Sequence, residues 1–523
     1  MKVNLVGAGP GDPGLITVRG REAIAAADVV VYDALANRAL LDAARPDAEL
    51  IYVGKVADQH ALPQDQINEL LAAKASEGKY VVRLKGGDPY VFGRGGEEAE
   101  YLASRGVPFE ETPGVSSAVA APACAGIPLT HRDFASSVTI LTGHAKYRPD
   151  GSAHNWEALA KSRSTLVVLM GMKNLPEIAR SLVQGGLAED TPAAVIYKGA
   201  TPEQKSVFAP LGKIAEAAAA AGLANPAVVV IGKVASLGRS LDWFTKRPLF
   251  GKTIAVTRAR AQASELTSRL EALGARVIEC PAIKIAPLED YSAADAAIAD
   301  ILSYRWIIFT SSNGVKYFWE RLRKAGLDTR ALSAAKIAAI GPGTAEALRG
   351  KGVTADFIPT SFVAEEAANQ LVGQEGAALA GQRALIPRAA KARMVLPDEL
   401  AAADMKVDAV PVYQTVPGEG CGKEIEALLE AKRLDCVAFA SSSTVVNFLK
   451  IIPAGALKAH PEVALAAIGP VTAATLQANG LGAAIQPSSY AIPGLAEAIA
   501  KYYESPGKDK AQKEPGSPSW LTE

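Results

Sequence analysis

The chain has 523 residues, with 55 basic against 55 acidic, 49% hydrophobic and 21% charged. That length exceeds one core and predicts two to four domains, while the balanced charge excludes a coat for polyanions such as nucleic acid and the apolar content excludes a disordered chain. Cys124, Cys280, Cys421 and Cys436 are scattered without CxxC spacing, which argues against a disulfide framework or a zinc site and fits a reducing cytoplasm. No uninterrupted apolar run is long enough to span a bilayer and the first residues do not read as a signal peptide, so a soluble, unexported protein is expected.

In chain order, Lys2 to Val6 run apolar into glycine as a buried strand, and Leu15 to Ala27 carry helical spacing. Val29 to Tyr32 reads as a strand ending at Asp33, Leu50 to Val53 as another, Gln64 to Ser76 as a helix, Tyr80 to Leu84 as a strand and Glu97 to Arg105 as a helix. This alternation predicts an α/β domain with a largely parallel sheet. A polar stretch around Tyr147 to Trp156, with Pro149 and Gly151, suggests a joint between two subdomains, followed by strands at 165–170, 193–197 and 227–231. Periodicity lapses from Ser236 to Lys252, which predicts a first domain over 1–240, a linker over 241–251 and a second domain over 252–504. The second half repeats itself: IIFTSSNGVKYF from Ile307 matches VAFASSSTVVNF from Val437, and AAIGPGTAEALRGKGV from Ala338 matches AAIGPVTAATLQANGL from Ala466. Two similar α/β lobes follow. Residues 505–523 are polar, rich in Pro, Gly and Lys, and are expected to be a disordered tail.

Chemistry concentrates in VVRLKGGDPYVFGRGGEE, Val81 to Glu98, where a strand gives way to two glycine turns and an acidic helix start. Glycine lets main-chain groups approach a ligand with no Cβ between them, and Asp88 offers a carboxylate to hydroxyls or an amine. The earlier GAGPGD follows a strand as a dinucleotide fingerprint does, but it lacks the third glycine and Pro10 removes a backbone N–H. A dinucleotide-binding oxidoreductase is thus the alternative reading.

These stretches, with VNLVGAGPGDPGLITVRG and TPGVSSAVAAPACAGIPLTHRDFASSVTILTGH, closely resemble the uroporphyrinogen-III C-methyltransferases, tetrapyrrole methylases that use S-adenosylmethionine. The resemblance implies a non-Rossmann fold of two α/β subdomains, a folded cofactor between them, S-adenosylhomocysteine as product and a homodimer. It implies cofactor contacts at Pro10, Gly86, Gly87, Asp88, Val91, Ser116, Ser117, Met170, Gly199 and Ala227, and an acid/base pair at Asp33 and Lys55. The substrate carries eight carboxylates, for which Arg19, Arg21, Lys55, Arg83, Lys85, Arg94, His131 and Arg132 are available.

In the second half, TRA at Thr257, FTSSNGV at Phe309, IGPGTAEAL at Ile340, VYQT at Val412, FASSSTV at Phe439 and IGPVTAATL at Ile468 resemble the uroporphyrinogen-III synthases. That family implies a bilobal α/β fold, here with lobes 252–287 plus 416–504 and 288–415, joined by a two-stranded ladder. It also implies a cleft lined by Ser311, Thr344, Ser441 and Thr472, with Tyr413 as the acid. The combined expectation is a bifunctional, cytoplasmic enzyme without a metal. It closes hydroxymethylbilane to uroporphyrinogen III and methylates the product twice to precorrin-2, at the branch toward sirohaem and cobalamin. The alternative is a methylase carrying a non-catalytic ligand-binding module.

Overall fold

The first sheet is assembled around strands too apolar to face water on either side. In a computed structural model, which describes residues 2–54, 62–143, 154–257, 260–281, 283–360, 364–417 and 421–504, β1 (Val3–Gly7) is buried along its whole length. It lies beside β4 (Val81–Lys85), and with β2 (Val29–Tyr32), β3 (Glu49–Tyr52) and β5 (Phe109–Thr112) the order is β3-β2-β4-β1-β5, all parallel. Parallel neighbours need crossovers, and the helices α1 (Val18–Ala26), α2 (Gln64–Ser76) and α3 (Gly95–Ser104) supply them. Central β4 buries Arg83 and Lys85 on the face it shares with Glu98 of α3, while Val82 and Leu84 point the other way into apolar core.

The helix α4 (Ser117–Cys124) leads to a second sheet of β6 (Val138–Thr142), β7 (Thr165–Leu169), β8 (Pro192–Tyr197), β9 (Lys205–Pro210) and β10 (Ala227–Ile231), in the order β6-β7-β10-β8-β9. Its β6–β7 pair is parallel and the other three pairs are antiparallel. The small faces of Ala118 and Ala121 let α4 pack against Val167, Ile196 and Val228 of that sheet. The joint between subdomains therefore precedes β6, instead of lying at 147–156 as the polar composition suggests. The strand Val138–Thr142 already pairs with β7, a register that a polar stretch downstream cannot reveal. Most of the expected joint, residues 144–153, lies outside the described residues.

Two compact units emerge, one built on Met1–Lys252 and Glu271–Arg276, the other on Thr253–Leu270 and Val277 onward. Residues 241–251 do not run free as a linker. Phe244 is 2% exposed in a cluster with Ala120, Cys124 and Ala200, the Arg247 guanidinium lies 3.8 Å from its ring, and Trp243 Nε1 donates to the Ala123 carbonyl. The loss of periodicity is real, but aromatic side chains anchor the segment to the first unit.

The second unit opens with β11 (Thr253–Val256) and β12 (Arg276–Glu279), continues through β13 (Ile283–Ala286), β14 (Trp306–Phe309), β15 (Lys336–Ala339), β16 (Arg383–Ala389) and β17 (Lys406–Pro417), and returns to β18 (Cys436–Phe439) and β19 (Ala464–Ala467). One sheet runs β12-β11-β18-β19 and the other β13-β17-β16-β14-β15. Both ends of the unit thus build the first sheet. The antiparallel β13–β17 ladder, Ile283 opposite Pro417 through Ala286 opposite Gln414, carries the two crossings. The internal repeat is structural as well: β14 and β18 each run into a helix capped by a serine, Ser311 or Ser441, and β15 and β19 into helices that start Gly-Pro. The bridges Ala338–Phe357 and Ala466–Ile485 recur at matching places.

Against the expectation of no disulfide, Cys280 and Cys421 are paired, with Cα atoms 5.1 Å apart and 141 residues between them in sequence. Spacing rules miss such a pair because the residues meet only once the end of β12 and the helix Gly422–Glu430 close on one core. Cys124 and Cys436 are free and buried. No helix among the described residues is long and apolar enough to cross a membrane.

Candidate active sites

In the first unit, two glycine loops meet backbone to backbone. Gly9 N–H donates to the Gly87 carbonyl at 3.2 Å and Gly87 N–H to the Gly9 carbonyl at 2.7 Å, and both residues take positive φ, +77° and +69°. They form one wall of a cavity of about 320 Å³, near the lower end for small-molecule sites. Pro10, Gly86, Gly87, Ser117, Gly199 and Ala227 of the expected contacts line it. Glycine is required at the wall. A Cβ on Gly86 would lie 2.5 Å from Leu35 Cβ, and one on Gly199 would lie 2.3 Å from Ala121 Cβ. Leu35, Ile196 and Val228 make the lining apolar, while Lys198, Thr201 and Glu203 bring polar groups. An apolar slot with polar groups and exposed main chain fits an adenosyl group and an amino-acid tail.

Other expected contacts serve the frame of this cavity. Asp88 accepts from the N–H groups of Tyr90 (2.9 Å) and Gly114 (3.1 Å), so its carboxylate ties the glycine turn to the loop before α4. Ser116 caps α4, Val91 is half-buried in the turn that follows Asp88, and Met170 is 48% exposed in a left-handed conformation, φ +54°. Such a φ is uncommon outside glycine and marks the end of β7 as held by its surroundings.

At the C-terminal end of β2, Asp33 is partly exposed. Its Oδ1 accepts from Leu35 N–H (3.1 Å), which binds it to the loop Ala34–Asn37 at the cavity wall, and its Oδ2 accepts from Arg83 Nη2 (3.1 Å). Lys55 lies outside the described residues. Arg83 and Lys85, offered above as partners for substrate carboxylates, are instead buried and committed to Glu98. Burial first, and the Arg83 charge second, draw the Lys85 pKa below its ordinary value. Arg94 is half-exposed and pairs with Glu97, Arg132 is exposed, and His131 Nδ1 accepts from Asp133 N–H with its ring stacked on Phe134. All three lie at or near the surface, Arg94 already paired with Glu97 and His131 engaged with Asp133.

In the second unit the structure brings Tyr413 and Ser311 together, phenol to hydroxyl at 3.1 Å. Tyr413 is buried, its ring stacked on Tyr317, and burial raises its pKa. Ser311 also accepts from Gly314 N–H as a helix cap. Thr344 and Thr472 occupy equivalent places in the first turns of the helices after β15 and β19, both nearly buried, and the Thr344 hydroxyl donates to the Ile340 carbonyl. Ser441 forms a capping box with Thr444 and shares a hydrogen bond with Ser443. Arg388 is buried at the end of β16 against the Ala392 carbonyl and the Met394 sulfur. Sequence reasoning missed Leu35, Asn37 and Lys198 in the methylase-like cavity. Asn37 alone had a local signal, as a cap residue before a short helix.

Fold and site together define a two-unit α/β protein, a glycine-walled small-molecule site in one unit and a duplicated lobe with a buried tyrosine in the other. The family of Tetrapyrrole (Corrin/Porphyrin) Methylases matches residues 2–215 and that of Uroporphyrinogen-III synthase HemD residues 264–497. The porphyrin biosynthesis protein HemD of Ruminiclostridium josui is 40% identical over 87% of this chain and 90% of its own length. A uroporphyrinogen-III C-methyltransferase of Bacillus subtilis is 49% identical over 46% of this chain and 94% of its own. The solved uroporphyrin-III C-methyltransferase of Thermus thermophilus, complexed with S-adenyl homocysteine, is 38% identical over 45% of this chain and 99% of its own, with a TM-score of 0.39. The chain belongs to the family of the porphyrin biosynthesis protein HemD and is an enzyme of tetrapyrrole biosynthesis with a methylase part and a synthase part.

Proposed function

We propose that the second unit closes hydroxymethylbilane to uroporphyrinogen III and that the first methylates this product twice, giving precorrin-2. The observation that carries the methylase reading is the carboxylate of Asp33 beside the wall loop of a glycine-walled cavity. Bound there, S-adenosylmethionine supplies an activated methyl group and leaves as S-adenosylhomocysteine. Pro10, Gly86, Gly87, Ser117, Gly199 and Ala227 hold it, with Asp88, Val91, Ser116 and Met170 shaping the turns around them. Displacement at a methyl carbon needs little beyond alignment, so positioning supplies most of the acceleration. Asp33 takes the proton that leaves the macrocycle, with Lys55 as its acid/base partner. Arg94, His131 and Arg132 meet substrate carboxylates through charge-assisted bonds.

In the second unit the Tyr413 phenol, protonated at neutral pH and with its pKa raised further by burial, donates to the departing hydroxyl of the linear substrate, and water leaves. Ser311, Thr344, Ser441 and Thr472 hold side-chain carboxylates while the last ring inverts. Catalysis here is control of conformation. The balanced charge gives nucleic acid no electrostatic footing, and we place the protein in the cytoplasm as a homodimer through its methylase unit.

Two separate assays test the halves. With hydroxymethylbilane alone, type III isomer should predominate over type I. With uroporphyrinogen III and labelled S-adenosylmethionine, two methyl groups should enter each macrocycle. No incorporation would refute the methylase reading, and a single methyl group at exhaustion would refute the second transfer.

A further inference from the structure

Asp33 is one end of a buried ionic chain. Glu98, on α3, is 0% exposed. Its Oε1 accepts from Lys85 Nζ (2.7 Å), Gln64 Nε2 (3.0 Å) and Arg83 Nε (3.3 Å), whereas its Oε2 has no partner among the described residues. Arg83, 3% exposed, spans from Glu98 to Asp33: Nη2 meets Asp33 Oδ2 at 3.1 Å, and Nη1 donates to the carbonyls of Val31 and Leu84. A guanidinium does not give up its proton in a protein, so its fixed charge is divided between two carboxylates.

We propose that Glu98 is a positioning residue for the Asp33 carboxylate, acting through Arg83; this rests on the reading of Asp33 as proton acceptor. Stability is a weak reason for the arrangement, because apolar side chains of similar volume serve a core as well or better than a buried ion pair. An oxygen overloaded with three donors beside an unpartnered one is also costly to bury. The geometry instead gives Glu98 two tasks. By accepting from Nε it fixes the guanidinium plane, so that Nη2 stays aimed at Asp33. By drawing on the same positive charge, it keeps Arg83 from becoming the full counter-ion of Asp33. Without Glu98 the guanidinium stabilises ionised Asp33 more strongly, and a carboxylate so stabilised is a weaker base. The charged groups facing this chain are Asp33 from β2, Arg83 and Lys85 from β4, Glu98 from α3 and Arg94 at the start of that helix, and α2 contributes the amides of Gln64 and Asn68. Lys55 lies outside the described residues.

The test is Glu98→Gln in the full chain, alone and combined with Asp33→Asn. With the fold checked by thermal melting, the single variant should bind S-adenosylmethionine within about twofold of wild type in calorimetry. It should lose about tenfold or more in the methylation kcat, and the acid limb of its kcat/KM profile for uroporphyrinogen III should move to lower pH. In the Asp33→Asn background, Glu98→Gln should cost no more than about twofold further, since its route of action is already gone. Glu98→Asp restores the charge and should recover part of the rate. Should Glu98→Gln fail to fold, Glu98→Asp carries the same measurements with smaller displacements. An unmoved acid limb, or losses that multiply in the double variant, would reduce Glu98 to a structural residue and overturn the proposal. A wild-type methylation rate for Asp33→Asn alone would remove the reading of Asp33 on which it stands.

Discussion

Tyr413 carries its proton at neutral pH as any phenol does, and its surroundings extend that range: the ring stacks on Tyr317, the hydroxyl lies against Ser311, and burial raises its pKa from 10.0. An acid must carry its proton to act, so an upward shift widens the working range toward alkaline pH. Ring closure should not decline through this group until the pH passes 10, and rate measurements across pH 7 to 11 on the wild-type protein will show whether it does. In Tyr413→Phe the donor is gone, so closure should slow until spontaneous formation of the type I isomer competes, with methylation of supplied type III isomer intact. Isomer-resolving chromatography reads both outcomes. Asp88 shows how a residue legible by motif gains a second task in structure. Its place between glycine turns suggests a ligand for hydroxyls or an amine, and each of its oxygens also accepts from a backbone N–H, which holds the turn. Asp88→Ala should therefore weaken S-adenosylmethionine binding roughly tenfold, by loosening the turn, and should not abolish it. Calorimetry decides between these sizes of effect. Glu97 and Glu98 look alike in sequence as an acidic helix start; one is exposed against Arg94 and the other is wholly buried. No local signal separates them, because burial of Glu98 depends on the two cations that β4 brings beneath α3.

At the scale of elements, the alternation of apolar strands and amphipathic helices in the first 105 residues was readable because both faces of a parallel sheet are covered, which leaves continuous apolar runs such as Val29–Tyr32. Gln64–Ser76 emerges with the bounds its spacing suggests. The short strands β5, β6 and β9 were not readable as strands. FEET and KSVFAP are only partly apolar and half-buried, and VTILT was hidden by the polar run that follows it. The duplicated strand-to-helix turns were legible for another reason, since each needs a serine cap or a Gly-Pro start at a fixed place. Ser441 makes a capping box with Thr444, so Ser441→Ala should cost about 1 kcal/mol of stability in the second unit. A chemical melt of the full chain should show the loss in the transition of that unit. The glycine turn makes a matching demand in the first unit. Gly86→Ala would bring a Cβ to 2.5 Å from Leu35 Cβ, forcing the cavity-wall loop to move, and S-adenosylmethionine affinity should fall while synthase activity is kept.

For the whole molecule, the division into two units bears on how the chain can be cut. Composition placed a linker at 241–251, but Phe244 and Leu249 are buried and the first unit extends to Lys252. A fragment that stops at Leu241 should lose the ring that packs with Ala120, Cys124 and Ala200, and should melt lower than one that stops at Lys252. The lost burial of a phenylalanine is worth about 1.5–3 kcal/mol. Equal melting temperatures would show that the aromatic anchor contributes nothing.

The two halves were legible as consecutive steps because uroporphyrinogen III is the product proposed for one and the substrate proposed for the other. The most direct measurement gives the intact protein hydroxymethylbilane and S-adenosylmethionine, with no other enzyme present, and follows the products by mass spectrometry and isomer-resolving chromatography. The expected product is a macrocycle of the type III series carrying two added methyl groups. Uroporphyrinogen I appearing at the uncatalysed rate, with no dimethylated type III product, would contradict the joined activities.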